Sequence, residues 1–143
     1  MKLLIAGDSG TGKSAFVSRW TTGSFGTSDK SDNSQIWFGT HIFDVTECSD
    51  MATPLQQGMY DAALIFFTYS SKASYLGMQK WYTHIRETHP LIPIILCANK
   101  CDIAPRNFRP THIKFHHANK LKVYIMSCKS TQNYEKPFLQ LCC

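Results

Sequence analysis

Long apolar runs are missing from this chain. The longest, Ala62 to Phe67 and Leu91 to Ala98, are short or broken by proline, well below the roughly 20 residues a helix needs to cross a bilayer. Charge is sparse as well: 17% of residues are charged against 43% apolar, the reverse of the composition that keeps a chain disordered. No internal repeat, low-complexity tract or linker rich in proline or glycine interrupts the 143 residues, so one domain with a real core is expected. The N-terminus, MKLLIAGDSG, lacks a secretory h-region and reads as a first strand. Its six cysteines are therefore expected to be reduced thiols of the cytosol or nucleus. Cys97 and Cys101 have no second pair at zinc spacing, which excludes a structural zinc site. A net charge of +5, with Arg106, Arg109, Lys114, Lys120, Lys122, Lys129 and Lys136 in the C-terminal half, comes without any nucleic-acid-binding motif. These residues read as a solvated face, with no nucleic acid partner and a monomer expected.

What is present is an alternation of apolar strands and amphipathic helices. Lys2 to Ala6 is apolar, and Ser14 to Thr21 places Ala15, Phe16, Val17 and Trp20 at helical spacing. Ile36 to Phe38 and His41 to Val45 flank Gly39-Thr40 as a hairpin would. Ala62 to Tyr69 reads as a buried strand and Ala73 to Glu87 as an amphipathic helix. Ile94 to Ala98 and Lys122 to Met126 are further strands, and Tyr134 to Leu141 begins a last helix. The order predicts an α/β fold: a mostly parallel sheet with helices on both faces and its ligand at the carboxyl ends of the strands.

The motifs fall at those ends. Gly7-Asp8-Ser9-Gly10-Thr11-Gly12-Lys13-Ser14 fits G-x-x-x-x-G-K-[ST] between a strand and a helix, with Ala15 following. Its glycines let backbone N–H groups turn toward phosphate oxygens, and the helix N-terminus adds its dipole. Lys13 would reach the β- and γ-phosphates and Ser14 a Mg²⁺ ion. The loop does not select the base, since ATPases, kinases and GTPases share it. Selection falls to Asn99-Lys100-Cys101-Asp102 and Ser127-Cys128-Lys129, which close the last two strands. A carboxylate at Asp102 accepts the paired N1–H and N2–H₂ donors of guanine, a pair that adenine lacks. The Cys128 N–H would donate to O6, and the stems of Lys100 and Lys129 would cover the ring.

Together these stretches resemble the Ras-type small GTPases, which carry the P-loop NTPase fold, and within them most of all the Ran family of nuclear transport GTPases. Phe16 to Phe25 is similar to the first helix and turn of that family. Ile113 to Leu139 is similar to its final strand and helix. The likeness covers nearly the whole chain and is weakest between Gly26 and Tyr60. It implies a protein that binds GTP or GDP with Mg²⁺ and Phe25 packed against the base. It further implies importin-type transport receptors and exchange or activating factors as partners, in the nucleus and cytoplasm.

The second switch of the family reads Trp-Asp-Thr-Ala-Gly-Gln-Glu where this chain has Phe43-Asp44-Val45-Thr46-Glu47-Cys48-Ser49. The resemblance gives Asp44 to Mg²⁺ through a water, beside Ser14. It sets Glu47 in the place of the glycine and Cys48 in the place of the water-orienting glutamine, so hydrolysis is expected to be weak or lost and no catalytic residue is assigned. In the first switch, Thr27, Ser28, Ser31 and Ser34 all compete to replace the metal-binding threonine. The acidic tail of the Ran family has no counterpart, and the last helix is short. The terminal Cys142-Cys143 resembles the prenylation signal of Rab GTPases, but it follows that helix without a linker, as a truncated end would. Two other functions stay open: a non-catalytic interaction protein that binds transport factors without a working switch, and a P-loop kinase, which Asp102 and the lack of room for a lid oppose.

Overall fold

The computed structural model describes residues 1–8, 11–22, 34–38, 41–48, 59–68, 72–99, 121–125 and 135–142. Strand β1 (Lys2–Ala6) leads to helix α1 (Lys13–Thr22). Strands β2 (Ser34–Phe38), β3 (His41–Cys48) and β4 (Ala62–Thr68) follow, then helix α2 (Lys72–Thr88), strands β5 (Ile94–Asn99) and β6 (Lys122–Ile125), and helix α3 (Lys136–Cys142). The sheet order is β2-β3-β1-β4-β5-β6. Five strands run parallel, and β2 joins the edge antiparallel, with Phe38 opposite His41. Gly39 and Thr40, the expected hairpin turn, lie outside the described residues.

Because side chains alternate across a strand, each strand feeds two cores. Leu3 and Ile5, Ala62, Leu64 and Phe66, and Ile95 and Cys97 face Phe16 and Val17 of α1 and Phe138 of α3. Their neighbours Leu4 and Ala6, Ala63, Ile65 and Phe67, and Ile94, Leu96 and Ala98 face Tyr75, Met78, Trp81 and Ile85 of α2. The strands buried on both faces are therefore apolar throughout, as the sequence led one to expect.

Two boundaries differ from the sequence expectation. α3 starts at Lys136 rather than Tyr134, with the buried Pro137 in its first turn, where its fixed φ suits the helix and its missing N–H costs nothing. β3 is the larger difference. It was expected to end at Val45 and instead continues through Cys48, pairing in parallel with the whole of β1 from Lys2↔Asp44 to Ala6↔Cys48. Phe43 and Val45 are buried in the α1-side core, and three more residues complete the ladder.

The site therefore lies where β1, the strand with neighbours made both after it on one side and after it on the other, ends at Gly7. In an open sheet of this kind the crevice forms where the connections diverge. Among the described residues no helix is long and apolar enough to cross a membrane.

Candidate functional site

The loop that leaves β1 is shaped by two glycines. Gly7 has φ +150°, and a Cβ there would lie 2.5 Å from the Phe66 carbonyl oxygen of β4. Gly12 has φ +93° at the entry to α1, a conformation that side chains disfavour. The Gly12 carbonyl then accepts the first helical hydrogen bond, from Phe16 N–H at 3.0 Å. No acidic residue stands in the first turn of α1, so its free N–H groups and positive dipole end meet no internal anion from that turn.

Inside the loop, Thr11 Oγ1 and Lys13 Nζ both donate to the Asp8 carbonyl oxygen at 2.8 Å, and Lys13 Nζ lies 3.4 Å from Thr11 Oγ1. Thr11 and Lys13 are buried, at 2% and 5% exposure. Burial draws the Lys13 pKa below the usual lysine value, and the nearby Glu47, Asp8 and Cys48 oppose that fall. The result is a desolvated cation at a helix N-terminus, the arrangement that rewards an anionic ligand most. Ser14 follows on α1, exposed, and Ala15 is half-buried.

Asn99, the last residue of β5, is 2% exposed and donates through Nδ2 to the Thr11 carbonyl oxygen at 3.1 Å. The two motifs, 88 residues apart in sequence, are thus one structure, and Asn99 acts on the loop rather than alone at the rim. Ser9, Gly10, Phe25, Lys100, Asp102, Ser127, Cys128 and Lys129 lie outside the described residues, so the base-binding assignments carry no geometry.

Asp44 is not brought to this site. It pairs with Lys2 at the opposite end of β1, is exposed, and projects to the face away from Phe43 and Val45. Glu47 lies three residues further along β3, about 10 Å nearer the loop at 3.3 Å per residue, on the α1 face. Its Oε1 is buried and has no hydrogen-bond partner among the described residues. An acid oxygen of this kind near a lysine is of the class that a hydrated divalent cation takes, and Glu47, not Asp44, is the acid that β3 brings to the loop end of β1. Cys48 is likewise displaced from its expected place. It pairs with Ala6 within the strand, not in a loop beyond it, and packs on the α2-side core.

Residues 2–143 match the sequence model of the Ras family. The chain belongs to the Ras family. As a Ras-family protein it is a GTP-binding small GTPase on the α/β P-loop fold. Members of the family bind GTP or GDP, typically with Mg²⁺. Among the described residues no three His, Cys, Asp or Glu side chains gather as a metal-binding group. A second cleft, of about 370 Å³, lies at the other end of the sheet between Met1, Ile94, Lys122 and Leu141 and has no part in the loop.

Proposed function

We propose that this Ras-family protein binds GDP or GTP with Mg²⁺, turns GTP over weakly or not at all, and serves nucleocytoplasmic transport through importin-type carriers. The observation that carries the nucleotide reading is the link from Asn99 to the Thr11 carbonyl, which fastens the end of β5 to the loop that holds Lys13. In this reading Gly7, Asp8, Ser9, Gly10, Thr11, Gly12, Lys13, Ser14 and Ala15 surround the phosphates. Asp102, Lys100, Ser127, Cys128, Lys129 and Phe25 surround the guanine. Ser14 and Glu47 would hold the cation, which neutralises charge between the β- and γ-phosphates.

Weak hydrolysis is expected from the register of β3 on β1. With Glu47 in the place of the family's acid, the glycine and glutamine that follow at three and four residues are Asp50 and Met51. An aspartate brings charge toward phosphate oxygens, and a thioether orients no water. The transport role draws on the resemblance of Phe16 to Phe25 and of Ile113 to Leu139 to the Ran family; in this reading the protein would act in nucleus and cytoplasm.

The test is to denature the purified protein, identify the released nucleotide by chromatography, and follow phosphate release from GTP with Mg²⁺. Bound guanine nucleotide with no phosphate release is expected. Turnover at the rate of an ordinary GTPase would overturn the hydrolysis reading, and binding of ATP in preference to GTP would overturn the guanine assignment. Retention of importin-type carriers on the immobilised GTP-loaded protein, absent with GDP, is the outcome expected for the transport role.

A further inference from the structure

We infer that Trp81 and Gly77 hold the Asp8 carboxylate away from the phosphate site, so that α2 sets how tightly the loop grips a nucleotide. The inference rests on the nucleotide reading above. Asp8 is the second residue of the loop, and its carbonyl already receives Lys13 Nζ and Thr11 Oγ1. Its side-chain carboxylate already acts electrostatically on the Lys13 ammonium; turned toward the loop it would neutralise that cation and repel phosphate oxygens.

The structure shows the carboxylate directed to the α2 side instead. Trp81, fully buried, donates its indole N–H to Asp8 Oδ1 at 3.2 Å. The other oxygen, Oδ2, rests against Gly77 one helical turn earlier, where any Cβ would collide with it. An indole N–H donates and accepts nothing, so it holds an acid but gives a lysine no partner. A glycine is the residue that leaves the acid room. Both lie on the inner face of α2, across the sheet from α1 and Lys13, so the acid is kept on one side of the loop and the cation on the other. Trp81 and Gly77 touch no substrate in this account; they are positioning residues acting through Asp8.

The measurement is release of N-methylanthraniloyl-GDP from the full chain, chased with unlabelled GDP in Mg²⁺, for Trp81→Phe and Gly77→Ala, each alone and combined with Asp8→Asn. Each single substitution is expected to speed release roughly tenfold, the scale of a lost hydrogen bond to a charged group. Adding Asp8→Asn, which removes the charge, is expected to recover most of that loss in both backgrounds. Gly77→Ala removes no core volume, so it carries the test alone if Trp81→Phe does not fold. Release unchanged in the single variants, or no recovery on adding Asp8→Asn, as a plain packing defect would give, overturns the role of Trp81 and Gly77. A wild-type chain that retains no labelled GDP overturns the nucleotide reading itself, and the inference with it.

Discussion

Lys13, Asn99 and Glu47 meet at the loop for different reasons, and each predicts its own defect. The Lys13 ammonium is buried and held by a carbonyl and a hydroxyl, so Lys13→Met is expected to weaken GDP binding by roughly 100-fold or more, the scale of a desolvated charge-assisted contact; equilibrium titration with labelled GDP checks it. Asn99→Ala leaves the buried Thr11 carbonyl without its donor, at a cost of about 1–3 kcal/mol, and is expected to appear as nucleotide release at least several-fold faster. Glu47→Ala should raise the Mg²⁺ concentration needed for nucleotide retention about tenfold, whereas Asp44→Ala should leave it unchanged; a shift with Asp44→Ala and none with Glu47→Ala would restore the original assignment. At this scale the turn of the loop was legible in its glycine spacing, whereas the hold of Asn99 on the Thr11 carbonyl was not. The sequence misled at Asp44 because a local match to a short acidic motif was weighed without the strand register, which only pairing with β1 fixes. Trp81 was read as part of an amphipathic stripe, and nothing in helical spacing says that its indole N–H meets an acid in a loop 73 residues away.

Among the elements, α3 shows how little helix is needed when one side chain is well placed. α3 has seven residues, too short to be stable by itself. Phe138 holds it, fully buried, stacked on Phe16 at 5.6 Å and set against Phe43 at 5.0 Å. Phe138→Ala is expected to cost about 3–5 kcal/mol, read as a lowered urea midpoint. At the end of α2, His89 is buried at 2% exposure and accepts the Tyr60 N–H through Nε2 at 3.2 Å, while Nδ1 lies 2.7 Å from Thr88 Oγ1. Burial lowers its pKa, opposed by a backbone hydrogen bond with Ile85. A depressed folded pKa means that the unfolded chain takes up the proton first, so His89 contributes full stability above the ordinary histidine value of about 6.5. That contribution is lost as pH falls from there through the lower folded value. Urea midpoints are expected to decline between pH 7.5 and 5.5, and His89→Gln, which keeps an acceptor without titrating there, should flatten the decline. Strand and helix identities were readable from period and composition. Their ends were not, because β3 is extended by the ladder it joins and α3 is started by a proline that tolerates the first turn.

At the scale of the whole molecule, the alternation of strands and helices announced the fold, and the two-sided burial of β4 and β5 made their continuous apolar runs intelligible. What composition alone did not provide was the order of strands across the sheet, since β1 and β4 are both simply apolar. That order has a consequence for the chain as it is made. β1 lies between β3 and β4 but precedes both in the sequence, so it leaves the ribosome before either neighbour is available. Leu3, Leu4 and Ile5, all fully buried at the end, stay in water until the chain has been extended through Thr68. Translation from β1 to Thr68 therefore builds a sticky intermediate, and the protein's yield depends on how quickly β4 arrives to cover β1.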